Sequence, residues 1–274
     1  MAITTRDQLI NALSNNNSRI VWDKASIGSA VAGQIFSLWR ATGTPGQGAI
    51  PGAASLATSA RTGAMGFTNQ TAPATSYYAW QTIAAGNPAT SVEIHDRLAD
   101  MGGLSGIVTT AQTVGIDLAT LGGGLPAARR GDANYSDVQW WLEWYTSTGA
   151  TASNATVAVT YDDGSTGNLA LVAVGGTVVA SRMIPLVSAV PGRFIRAVNS
   201  VTLSASTGTA GSFGVTATRP RTVVNANIAN KYEQFDWAQL GLPEIPNDSC
   251  LMMVMLCSTT TTGTVRGQGK IAHG

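Results

Sequence analysis

Glu93 and His95 stand two residues apart in VEIHDRLAD, the spacing at which a β-strand puts two side chains on one face. A carboxylate beside an imidazole could hold a metal or serve as acid and base. Arg97 extends that face, Val92, Ile94 and Asp96 take the other, and the expectation is a solvated or locally paired polar face rather than a site. His273, the one other histidine, is next to the end of the sequence, where fraying is expected. A serine nucleophile on a sharp turn would read G-x-S-x-G; GGLSGI around Ser105 lacks the closing glycine. GTPGQG is not followed by Lys-Ser/Thr, and LGGGLP runs into proline instead of opening a helix, so neither cradles a phosphate. Scattered acids supply no defined pair of the kind glycoside hydrolysis needs. Cys250 and Cys257, on one strand, would lie roughly 23 Å apart and on opposite faces, which excludes a disulfide between them and leaves buried thiols. No second ligand cluster accompanies them. The chain therefore reads as a non-enzyme, with no catalytic residue, metal or cofactor.

Aromatic chemistry is concentrated in residues 137 to 148, DVQWWLEWYTST, in a chain only 7% aromatic. On a strand Val138, Trp140, Leu142 and Trp144 point one way, a wholly apolar set expected in a core. Gln139, Trp141, Glu143 and Tyr145 point the other, a mixture suited to a covered but not dry surface, because indole N–H and phenol O–H need partners when buried. Trp141 and Tyr145, with the basic spot Arg129-Arg130, are the candidate interface residues. The alternative is that Trp141 and Tyr145 display their rings to a glycan. Arg130-Gly131-Asp132 matches an adhesion tripeptide, a three-residue coincidence.

The elements that must position these residues are mostly strands. TTRDQLINALSN predicts a short helix with Thr4 as N-cap, Asp7 in the first turn, and Leu9, Ile10 and Leu13 on one face. Thereafter short apolar runs punctuated by Gly, Pro, Asn and Thr predict strands at 33–41, 76–84, 92–99, 138–146, 156–161, 169–174, 194–206 and 213–219. YDDGSTG is a hairpin loop, and LMMVMLCST with TVRGQGKIA is expected to close the chain as another hairpin. The fold class expected is mainly β, an antiparallel sandwich or jelly roll with a short N-terminal helix and long Gly/Pro-rich loops. Residues 1–20 form an arm, 21–130 a β-rich region with extended loops, and 137–220 a sandwich. Residues 221–274 form a C-terminal segment that could rejoin the N-terminal part.

Composition bounds the class of protein. With 16 Lys+Arg and 15 Asp+Glu the formal net charge is +1, so no global field invites nucleic acid or an anionic membrane. Total charge is more telling, since a 274-residue globular chain would ordinarily carry about 68 such residues. A charge-poor surface is more comfortable when neighbours cover it, which predicts an obligate assembly. The N-terminal sequence lacks an apolar segment of the secretory type, and no run of 18 apolar residues could span a bilayer, so synthesis in a cytoplasm is expected.

WWLEWYTSTGATASNATVAVTYDDGSTGNLALV, VNSVTLSASTGTAGSFGVTATRP, EIHDRLADMGGLSGIVTTAQTVG and FSLWRATGTPGQGA together resemble structural proteins of tailed-bacteriophage virions, over most of residues 20 to 220. The resemblance implies a β-rich virion component, foremost a capsid decoration or cement protein, with a tail or neck component or a particle-borne glycan-binding module as alternatives. The implied partners are the chain itself, by analogy as a trimer, and the major capsid protein or other virion subunits. It transfers no active-site residue.

Overall fold

The computed structural model describes residues 2–176 and 178–274. Helix α1 (Arg6–Asn15) is followed by β1 (Asn17–Lys24), β2 (Ile35–Ser37), β3 (Gly43–Thr44), β4 (Ser55–Leu56), β5 (Ser76–Ala85), β6 (Thr90–Leu104) and β7 (Gln112–Asp117). After the one-turn α2 (Ala127–Arg130) come β8 (Gln139–Thr146), β9 (Ser153–Tyr161), β10 (Thr166–Asn168), β11 (Val172–Val174), β12 (Arg182–Leu186), β13 (Ile195–Leu203) and β14 (Ser212–Ala226). Then follow β15 (Glu233–Asp236), the short α3 (Trp237–Leu240), β16 (Leu251–Leu256) and β17 (Val265–His273). The protein is thus mainly β, its sheets antiparallel, with a short N-terminal helix.

Contacts divide the chain into two compact units: Met1–Ala49 with Thr58–Asp96 and Pro220–Gly274, and Ile50–Ala57 with Arg97–Arg219. Two of the divisions fall inside β6 and β14, and the other two lie on either side of β4. A boundary inside a strand leaves no loop-like composition to mark it, and the Gly-rich stretch at 121–136 is an internal loop of the second unit. Residues 221–274 lie with the N-terminal segment in the first unit.

In the first unit a five-stranded sheet runs β15-β5-β17-β1-β3. Along β1, Ile20, Trp22 and Lys24 are buried while Arg19, Val21 and Asp23 are exposed, so the sheet has a covered face and an open one. Two glycines of β17 fit the covered face. A Cβ on Gly267 would stand 2.1 Å from the Thr82 carbonyl oxygen and 2.8 Å from the Trp22 ring, and one on Gly269 would stand 2.6 Å from the Tyr78 hydroxyl. Helix α1 is capped by Thr5, not Thr4, because Gln8 stands three residues after Thr5 and completes a capping box. Its Leu9 and Ala12 pack on Ala79 and Ala272, while Ile10 is half exposed.

The expected C-terminal hairpin is not formed. β16 pairs with β2 and β6, whereas β17 pairs with β5 and β1, so both are interior strands with no free edge to offer each other. An interior place suits LMMVML, whose residues 251 to 255 are buried on both faces.

In the second unit one sheet runs β10-β9-β13-β7, with β11 also beside β9, and β8 lies between β14 and β12. The YDDGSTG hairpin forms: the Tyr161 N–H donates to the Ser165 carbonyl, and Thr166 faces Thr160. Both sets of strands feed one core, with Val157, Val159, Val198 and Val201 from the first and Trp140, Leu142, Trp144 and Val215 from the second.

Candidate functional site

β8 carries the aromatic cluster, and both its faces are buried. On the expected core face Trp144 stacks on Phe213, ring centres 5.1 Å apart at 14°, and the Trp140 indole N–H donates to the Ile195 carbonyl at 2.8 Å. On the other face, the candidate interface residues are covered by their own chain. Trp141 is 5% exposed and donates to Thr218 Oγ1 at 2.8 Å; Tyr145 is 3% exposed; Arg129 is 3% exposed and donates to the carbonyls of Ala57 and Arg97. Arg130 is partly buried, its guanidinium 5.3 Å from the centre of the Tyr135 ring. The mixed composition of that face goes with a buried charged network built on Glu143 and Tyr145.

Arg97 is the centre of that network. Its Nε pairs with Asp100 Oδ2 at 2.5 Å and its Nη2 with Glu143 Oε2 at 2.7 Å, while Nη2 also donates to the Tyr145 hydroxyl and to Thr216 Oγ1. Thr216 donates in turn to Glu143 Oε2 at 2.5 Å. Burial works against the Arg97 charge, but Glu143 and Asp100 beside it outweigh burial and hold the guanidinium well above its usual range. Burial, aided by Glu143, pushes the Tyr145 phenol up, so it stays protonated and can donate. Arg97, Asp100, Glu143 and Thr216 are fully buried. A charged group removed from water is costly unless paired, and this network is the pairing.

The first unit holds the histidines. Glu93 and His95 do share a face and pair at 2.7 Å, as alternation predicts, but His95 is fully buried rather than solvated. Next to it Asp96 accepts from the Cys250 N–H, the Ser249 hydroxyl and Arg221 Nη2. His273 does not fray: it closes β17, 3% exposed, with Ser18 Oγ 2.8 Å from Nε2 and Ser76 Oγ 2.9 Å from Nδ1. Burial lowers its pKa and favours the neutral ring, in which one nitrogen donates and the other accepts. No local signal could have shown this, since the two serines come from β1 and β5. Cys250 and Cys257 are buried thiols outside any disulfide, and burial raises the Cys257 thiol to about 11.

A groove lies on the open face of the five-stranded sheet of the first unit. Arg266, Gln268 and Lys270 of β17 form its midline, facing Thr82 and Trp80 of β5 on one side and Asp23, Val21 and Arg19 of β1 on the other. One stretch, of about 530 Å³, is bordered by Tyr232 and by the Arg266–Asp23 pair at 2.9 Å. A second, of about 590 Å³, shares Arg19 and Gln268 and ends at Trp80, Lys270 and Leu13 of helix α1. Sequence reading singled out none of these residues, although R-G-Q-G-K carries the alternation in plain view: three polar side chains outward, two glycines inward.

No family model matches the chain, and no curated protein is similar to it in sequence. Among solved structures it is similar to the VP2 subviral particle of infectious bursal disease virus, with a TM-score of 0.17 and 9% identity over 94% of this chain and 79% of that one. The Gx strain of the same virus gives 0.19 and 11%, over 95% and 82%. Scores this low mark no common fold.

Proposed function

We propose that the chain is a structural subunit of a virus particle, foremost a capsid decoration or cement protein of the tailed-phage kind, stabilising a shell through contacts with its own copies and with the major capsid protein. The observation that carries this reading is where the charge goes. Of the few charged residues the chain has, Lys24, Asp96, Arg97, Asp100, Arg129 and Glu143 are buried, which thins the charge on the surface further. A folded chain with so little exposed charge keeps best when neighbours cover it. The buried groups brace the packing, and the reading requires neither catalysis nor a cofactor. Quantitative mass spectrometry of purified particles tests it. Copies in the hundreds per particle support a shell protein; a few to a few dozen move it to the neck or tail. Absence from the particle overturns the proposal.

A further inference from the structure

We propose that the groove along β17 binds an acidic glycan, with a saccharide carboxylate held between Arg19 and Lys270 and a sugar ring against Trp80. The argument starts from register. Arg19 and Lys270 are directly opposed across β1 and β17, and like charges so placed are destabilising. The carboxylates near them are committed elsewhere: Asp23 to Arg266, and Asp236, opposite Trp80, to the N–H groups of Ala238 and Gln239. Lys270 Nζ reaches the Leu13 carbonyl at 3.3 Å, and among the described residues no side-chain hydrogen bond or ion pair engages the Arg19 guanidinium. Two cations on the floor of a groove with no acid between them make a place for an anion.

The rest of the lining decides which anion. Trp80, half-buried, and Tyr232, 62% exposed, offer ring surface on which the apolar C–H face of a pyranose can lie, while Gln268, Thr82 and the Arg266–Asp23 pair offer donors and acceptors for hydroxyls. A nucleic acid strand would ask for a continuous basic track, and this face has two uncompensated cations in a chain of net charge +1. An acidic protein segment would use the cations but present no pyranose C–H face to the Trp80 and Tyr232 rings.

Titration calorimetry of the purified full chain with alginate oligosaccharides, which are uronates, tests the site whether or not the chain is a particle component. Dextran oligosaccharides, poly-glutamate and oligo-dT serve as comparisons. Binding of alginate is expected, weakened about tenfold or more by the Arg19→Gln/Lys270→Gln double variant and by Trp80→Ala, and at least that much weaker for dextran. The double variant removes a repulsion, so its melting temperature should equal or exceed that of the wild type; this separates loss of binding from loss of fold. No binding of alginate at millimolar concentration overturns the proposal. So does poly-glutamate or oligo-dT binding as tightly as alginate, or binding that the double variant leaves unchanged.

Discussion

At the scale of single residues the ionisable groups that look most reactive are spent on packing. Lys24 is the clearest case for measurement. It is 2% exposed, and its ammonium donates to the carbonyls of Pro45 at 2.7 Å and Ala41 at 3.2 Å. Burial pulls its pKa down from 10.5 to about 8. Below about pH 8 both folded and unfolded chains hold the proton, and the folded state bears the whole cost of burying a charge. Between about 8 and 10.5 the folded chain has released it and the unfolded chain has not, so the unfolded state binds more protons and stability rises with pH. Urea denaturation at about pH 7 and about pH 10 should therefore show the wild type gaining on Lys24→Met as pH rises. A gap that stays constant would mean the ammonium is as well solvated by its carbonyls as by water. Nothing in the sequence announces this lysine as buried except its place at the inward end of NSRIVWDK.

At the scale of elements, legibility followed how apolar a strand is along its length. β5, β8, β13 and β17 could be read from apolar or alternating runs, and the apolar face of β8 is core as its pattern implies. β1 was missed although Ile20, Trp22 and Lys24 alternate cleanly with Arg19, Val21 and Asp23, because its polar residues resemble those of a loop. Pairing was least legible: β16 and β17 are adjacent in sequence yet belong to different sheets, and partners chosen by long-range packing leave no local mark. The inward glycines of β17 are the element-scale test. At Gly267 the strand lies so close to the Trp22 ring and the Thr82 carbonyl that a methyl group has no room. Gly267→Ala should destabilise the protein by ~1–3 kcal/mol in denaturant titration, the usual cost of overpacking. Gln268→Ala, changing a neighbouring residue of the same strand that faces outward, should cost under about 0.5 kcal/mol, as surface changes usually do. Equal losses at both positions would show that strand propensity, not the close approach, sets the sequence.

At the scale of the whole molecule, the decisive quantity is the total of charge rather than its balance. A chain with 16 basic and 15 acidic residues, six of these charges withdrawn into its units, has little electrostatic repulsion to keep copies apart. Exposed apolar side chains such as Val187, Leu171 and Val223, each more than half exposed, add surface that gains from being covered. Standard stable interfaces bury about 1,600 Å² in total, at about 25 cal/mol for each apolar Å², and the opposing cost of desolvating charge is small where charge is sparse. Sedimentation velocity at micromolar concentration should accordingly find an oligomer. Because few ion pairs can contribute, raising the salt to about 1 M, where the Debye length is about 3 Å, should leave that oligomer intact or tighten it. Dissociation by salt would assign the contact to charges such as Arg19, Lys270 and Arg266 instead of apolar surface. A monomer at every concentration would remove the physical ground for reading the charge deficit as a sign of assembly.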